Sequence, residues 1–232
     1  MIPLSDSIQP QRSPWALYLI LLINLLVFVY NLSQPEAMLL GWVHENALIP
    51  ARFLASFGDP LRLLGQVGTL FTSQFIHGGL LHLAGNLWFL WIFGDNVEDR
   101  LGHLGFIAFY LLTGMVAALS ELLFNPGSSL PIVGASGAIA GILGAYLRWY
   151  PEARVRTLIP LMFIFPIVDL PAMLFLGLWF IGQISGVLGG GGGVAWFAHI
   201  FGFLAGLLLS LLVTRPRETR RRVSVRRGYR VR

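Results

Sequence analysis

Apolar residues in this chain fall in long unbroken runs separated by short polar stretches, without the strict alternation of half-buried strands. Measured against the roughly 20 residues that a bilayer-crossing helix needs, six runs qualify: 15–32, 79–94, 104–124, 135–150, 171–188 and 194–213. The expected fold is therefore an all-α membrane protein, a bundle of six transmembrane helices. A further apolar run, 157–168, is short and interrupted by Pro160 and Pro166, so it reads as interfacial or re-entrant. The first run follows a single arginine and has no small-residue cleavage site, which favours a retained span over a signal peptide. Residues 33–68 mix Glu36, His44, Glu45, Arg52, Asp59 and Arg62 with Leu39, Leu40, Trp42, Phe53 and Leu54, a pattern suited to amphipathic pieces at the membrane surface. The five consecutive glycines from Gly189 to Gly193 predict a mobile loop between the last two spans.

Composition and charge sharpen this picture. Apolar residues make up 56% of the chain and charged residues 12%, about half the charged fraction of a soluble globule. The absence of cysteine excludes thiol nucleophiles, disulfides and thiolate metal sites. All 16 basic residues are arginine, and nine of them follow Val213. With the N-terminus inside, 14 arginines lie on the cytoplasmic side and only Arg52 and Arg62 outside, as the positive-inside rule requires. The expected organisation is a cytoplasmic segment at 1–14, a membrane domain at 15–213 and a basic cytoplasmic tail at 214–232, in a multi-pass protein of the cell (inner) membrane. The tail suits anionic lipid headgroups; it lacks the interleaved aromatics of a nucleic-acid-binding stretch, so no nucleic-acid partner is expected.

Polar side chains within apolar spans are unfavourable, so each is a functional candidate. The set is His82 and Asn86 in the second span, Ser136 at the start of the fourth and His199 in the sixth. All three spans run from outside to inside, and at ~1.5 Å per residue the four side chains share a level roughly 5–10 Å below the outer boundary. A serine hydroxyl becomes a competent nucleophile when a histidine accepts its proton. The resulting oxyanion needs fixed donors, which the Ser136 backbone N–H, the His82 ring and the Asn86 amide supply; His82 and Asn86 lie four residues apart on one helix face. Gly134-Ala135-Ser136-Gly137 permits a tight entry into the fourth helix, leaving free N–H groups around the serine.

Taken singly, each of these residues has an ordinary structural explanation. Gly-x-Ser-Gly is a helix-packing pattern, and the glycine pairs Gly137/Gly141, Gly182/Gly186 and Gly202/Gly206 have the spacing that lets membrane helices approach closely. His77 reads as an interfacial loop residue, Asn24 as a mid-span hydrogen bond and Glu121 as a loop anchor or buried bond. Asp95, Glu98, Asp99 and Arg100 read as a solvated cytoplasmic turn. The spacing of His77 and His82, with no carboxylate beside them, argues against a metal, and no cofactor is expected. The convergence of four polar groups at one depth favours catalysis.

These residues also carry a specific resemblance. The strings His77-Gly-Gly-Leu-Leu-His82-Leu-Ala-Gly-Asn86, Glu98-Asp-Arg100-Leu-Gly102, Gly134-Ala-Ser136-Gly137 and Ala198-His199-Ile-Phe-Gly202, followed by Gly206, resemble those of bacterial-type rhomboid intramembrane serine proteases. The resemblance implies a six-helix core, a Ser136/His199 dyad without an acidic third member, and oxyanion support from His82 and Asn86. It implies that the substrates are transmembrane segments of other proteins, cut near the outer face, with the fifth span and the following loop moving to admit them. The chain departs from the family at Gly68-Thr69, where a Trp-Arg pair is usual, and at Ala140, where an aromatic ring often packs beside the histidine. The alternatives are a non-catalytic rhomboid-like protein that binds membrane helices, which typically lacks the serine or the histidine, and a small transporter, which more often shows inverted repeats.

Overall fold

The computed structural model describes residues 1–190, 193–213 and 220–221. Two short strands, β1 (Ile2–Asp6) and β2 (Ile8–Gln9), precede the first long helix, α1 (Trp15–Ser33). The segment after α1 folds into α2 (Glu36–Asn46), α3 (Pro50–Ala55) and α4 (Pro60–Thr72), followed by a 3-10 turn at Ser73–Phe75. Then come α5 (Leu80–Leu101), α6 (His103–Phe124), α7 (Ser136–Trp149), the strands β3 (Arg154–Leu158) and β4 (Ile167–Pro171), α8 (Ala172–Leu188), α9 (Trp196–Leu209) and β5 (Arg220–Arg221). Most of the basic tail, and Gly191 and Gly192 of the glycine run, lie outside the described residues.

By length and composition alone, α1 and α6 are each sufficient to cross a membrane, and the pair Pro60–Phe75 and Leu80–Leu101 qualifies jointly but bends by 82°. The other helices of the bundle are too short to qualify alone. At ~1.5 Å per residue, the 14 residues of α7 cover less than the thickness of a bilayer core. What makes α7 the centre of the fold is packing: every residue from Gly137 to Tyr146 is buried, enclosed by α5, α6, α8 and α9.

Small residues set the closest approach. A Cβ at Gly202 would overlap the Gly137 carbonyl oxygen, one at Gly206 the Gly141 carbonyl, and one at Gly144 the Phe203 carbonyl. The α7 and α9 backbones are therefore in direct contact, while Gly137 and Gly141 also receive Ala117 and Thr113 of α6. Gly186 faces the Trp196 ring, but nothing lies within 4 Å of a Cβ at Gly182, so the second glycine pair is not a packing pair.

Residues 95–100 are not a solvated turn. They are the last turns of α5, and Glu98 and Asp99 are buried. The Glu98 carboxylate accepts from the Ala16 N–H (2.9 Å) and the Leu17 N–H (2.6 Å), capping α1, whose own N-cap position is Pro14 with no side chain to offer. Its partner His103 lies 2.5 Å away, across the turn that Gly102 makes at φ 74°, and the Arg100 guanidinium sits 5.0 Å from the Trp149 ring.

The first residues are also ordered by pairing. Strand β1 is antiparallel to β3, and β3 to β4, in a sheet of order β1-β3-β4. Buried Asp6 accepts from the Tyr146 hydroxyl (2.5 Å) and the Asn96 amide (2.8 Å), fastening this sheet beneath α5 and α7. Residues 157–168 accordingly form the end of a β-hairpin; Pro160 and Pro166, which lack an N–H, flank its apolar, exposed tip.

Between α1 and α5, Arg52 donates to Gln66 Oε1 (3.0 Å), to the Ala47 carbonyl (2.8 Å) and to the His44 carbonyl. One side chain of α3 thus knits the end of α2 to α4. Gly206→Leu should destabilise the protein by about 3 kcal/mol or prevent folding, whereas Gly182→Leu should stay within about 0.5 kcal/mol; thermal unfolding in detergent micelles checks the contrast.

Candidate active site

The chain reaches Ser136 through a stretch pinned on both sides. Ile132 exchanges backbone hydrogen bonds with Leu48, and the Gly134 N–H donates to the Ser73 carbonyl (2.9 Å). Gly134 then turns at φ 121°, where a Cβ would be 2.8 Å from His82 Nε2 and 3.8 Å from Ser136 Oγ. Only glycine satisfies both the conformation and the space. The helix α7 opens at Ser136, so the first N–H groups of the helix have no intrahelical acceptor.

His199 arrives from α9. The Ala198 N–H beside it donates to Glu121 Oε1 (3.0 Å), and the other carboxylate oxygen takes the Asn125 amide (2.6 Å). Glu121 is thus the buried bond that fixes the first turn of α9. Because α7 and α9 touch backbone to backbone, His199 Nε2 lies 2.7 Å from Ser136 Oγ. Both residues are half-buried and open into a cavity of about 810 Å³ that His82, Asn86, Trp179 and Gln183 also line. An adjoining cavity of about 480 Å³ extends past His82 toward Glu121 and Trp196.

All four residues singled out in the sequence therefore meet at one cavity. Asn86 donates to the His82 carbonyl (2.9 Å), which holds its amide on the cavity face of α5 and leaves its second N–H uncommitted by that bond. His77 is buried, its ring edge-on to His82 at 5.1 Å. Ala140 is fully buried, and the rings flanking His199 come instead from α8 and the start of α9: Trp179 at 6.2 Å and Trp196 at 6.1 Å.

One contact at the site was not read from the sequence. Gln183 of α8 lies with Oε1 2.8 Å from His199 Nδ1, while its Nε2 donates to the Trp179 carbonyl (2.9 Å). It satisfies the same criterion as the other four, a polar side chain within an apolar run, and that criterion applied to span 171–188 would have found it.

Comparison with known proteins agrees with this architecture. The Rhomboid domain family matches residues 64–216. The chain is 29% identical over 218 residues to "Rhomboid-like protein 11, chloroplastic" of Arabidopsis thaliana, covering 90% of this chain and 69% of that protein. It is 29% identical over 155 residues to "Rhomboid protein 1, mitochondrial" of Saccharomyces cerevisiae, covering 64% and 42%, and 31% identical over 139 residues to "Rhomboid protease GluP" of Bacillus subtilis, covering 58% and 24%. The chain belongs to the rhomboid family of membrane proteins, which includes intramembrane serine proteases. It spans about two thirds of the Arabidopsis relative, and less than half of the yeast and Bacillus proteins.

Gly134→Ala strains the backbone and drives a methyl against His82. It should cost about 1–3 kcal/mol and lower the apparent Tm measurably in detergent, whereas Gly41→Ala, at a position with open space around it, should leave Tm unchanged.

Proposed function

We propose that this protein is an intramembrane serine endopeptidase that cuts transmembrane segments of other membrane proteins near the outer face, with Ser136 as nucleophile and His199 as base. The observation that carries the reading is the 2.7 Å contact of Ser136 Oγ with His199 Nε2, made at the open end of a helix beside a largely apolar cavity into which His82, Asn86 and Gln183 also face. Ser136 Oγ attacks the scissile carbonyl carbon as its proton passes to His199 Nε2. The oxyanion is met by the Ser136 N–H, the His82 ring and the Asn86 amide. Collapse breaks the C–N bond, and the imidazolium returns its proton to the leaving amine. Water then attacks the acyl ester, its proton passing to His199 and onward to Ser136 Oγ as the ester breaks.

In this reading α1, α5, α6, α7, α8 and α9 are six spans, with 1–14 and 214–232 as cytoplasmic flanks in a cell (inner) membrane. The sheet supports it: β1 pairs with the β3–β4 hairpin, so the N-terminus lies at the end of the bundle carrying Arg148, Arg154 and Arg156. Ser136 is at the opposite end of α7, in keeping with chemistry toward the outer face. A transmembrane substrate must unwind to present its carbonyl, so segments weakened by glycine or proline are the preferred substrates.

In liposomes holding single-span substrates, Ser136→Ala and His199→Ala should abolish cleavage, and Asn86→Ala should reduce kcat about 100-fold. Variants that cleave like wild type would contradict the assignment. Wild type that cleaves no member of a broad substrate panel would favour a non-catalytic, helix-binding rhomboid.

A further inference from the structure

We infer that Gln183 is a positioning residue that holds His199 in the tautomer able to accept the Ser136 proton. The inference rests on the endopeptidase reading and adds to it a third member, a neutral amide supplied by α8.

The argument is one of hydrogen-bond direction. The Trp179 carbonyl oxygen can only accept, so the end of the Gln183 side chain facing it is the NH2 group. The other end, Oε1, therefore faces His199 Nδ1, and an amide oxygen can only accept. The hydrogen must sit on Nδ1. In the neutral ring that leaves Nε2 as a lone pair, aimed at Ser136 Oγ 2.7 Å away. A Gln183 flip would set the NH2 group against Nδ1 and lose the Trp179 bond, so the local network selects a single arrangement.

Competing partners are occupied or face elsewhere. Of the ionisable groups near His199 on the surrounding helices, Glu121 of α6 spends its two oxygens on the Ala198 N–H and the Asn125 amide, and His82 of α5 lies against Gly134. The α7 residue that meets the ring is Ser136, on the Nε2 side. Gln183 is itself buried, and its amide is tied to its own helix one turn back, so it reaches His199 as a fixed group with little rotamer freedom to lose. The Trp179 ring of the same helix flanks the imidazole, so α8 both orients the ring and sets its proton. A neutral acceptor suits a site within the membrane, where a resident carboxylate would carry the desolvation cost of a buried charge.

The test uses the full chain in liposomes and compares Gln183→Leu, which keeps the bulk and loses the acceptor, with Gln183→Glu, which keeps an acceptor and adds charge. Cleavage kinetics are measured across pH, with Tm of each variant in parallel. Gln183→Leu should lower kcat roughly 10- to 100-fold, a part of the ~10²–10⁴ that a positioned base contributes, with KM within about twofold and Tm near wild type. Gln183→Glu should recover most of that loss and move the acid limb of the kcat/KM profile to higher pH by about one unit, because a carboxylate at Nδ1 favours the imidazolium. If Gln183→Leu turns over within about twofold of wild type, the inference is overturned. It is overturned equally if Gln183→Glu neither rescues kcat nor moves the profile, since Gln183 would then be a packing residue. These outcomes are distinct from failure of the endopeptidase reading, in which wild type itself neither cleaves nor loses activity on Ser136→Ala.

Discussion

The backbone contact between α7 and α9 is the constraint on which the site depends. Two helices carrying ordinary side chains sit 8–10 Å apart; here Gly202 and Gly206 meet the Gly137 and Gly141 carbonyls with no room for a Cβ. In lipid there is no hydrophobic gain from joining two apolar helices, so close packing and backbone complementarity must supply the association. That same contact brings the fourth residue of α9 to the first residue of α7, and the distance between a hydroxyl and an imidazole follows from it. Gly144 against the Phe203 carbonyl extends the seam one turn further.

Around this seam, buried carboxylates finish the helix ends. Glu98 satisfies two N–H groups at the start of α1, and Glu121 satisfies the Ala198 N–H at the start of α9. Both helices begin without a capping side chain of their own, and an N-terminus within or beside lipid has no water to complete its bonds. Each carboxylate is thus placed at the positive end of a helix other than its own. Asp6 performs the parallel task at the far end, joining the N-terminal strand to Tyr146 and Asn96. The bundle is held by a few long-range polar ties, with its middle left to small residues and rings.

How much of this was legible in the sequence depends on how local each feature is. The helical runs and the glycine pattern of α7 and α9 come from short-range spacing, and helices and contacts in the fold correspond to them; His82, Asn86, Ser136 and His199, picked out as polar residues within apolar runs, line one cavity. Glu98 was misread because its partners are the N–H groups of residues more than 80 positions away. The strand pairing of the hairpin around 157–168 was not legible for the same reason: its third strand, β1, lies at the start of the chain. Helix length alone does not identify α7, whose burial comes from its neighbours. Gly182 shows the limit of spacing rules, since a correct interval still points one member of the pair into open space.

The most direct measurement of the central claim is active-site labelling of the purified protein with a fluorophosphonate, with the adduct located by mass spectrometry. The account predicts a covalent phosphonyl adduct on Ser136 that disappears in His199→Ala, although Ser136 is still present there. An unlabelled Ser136 in wild type, or labelling that is indifferent to the loss of His199, would contradict it.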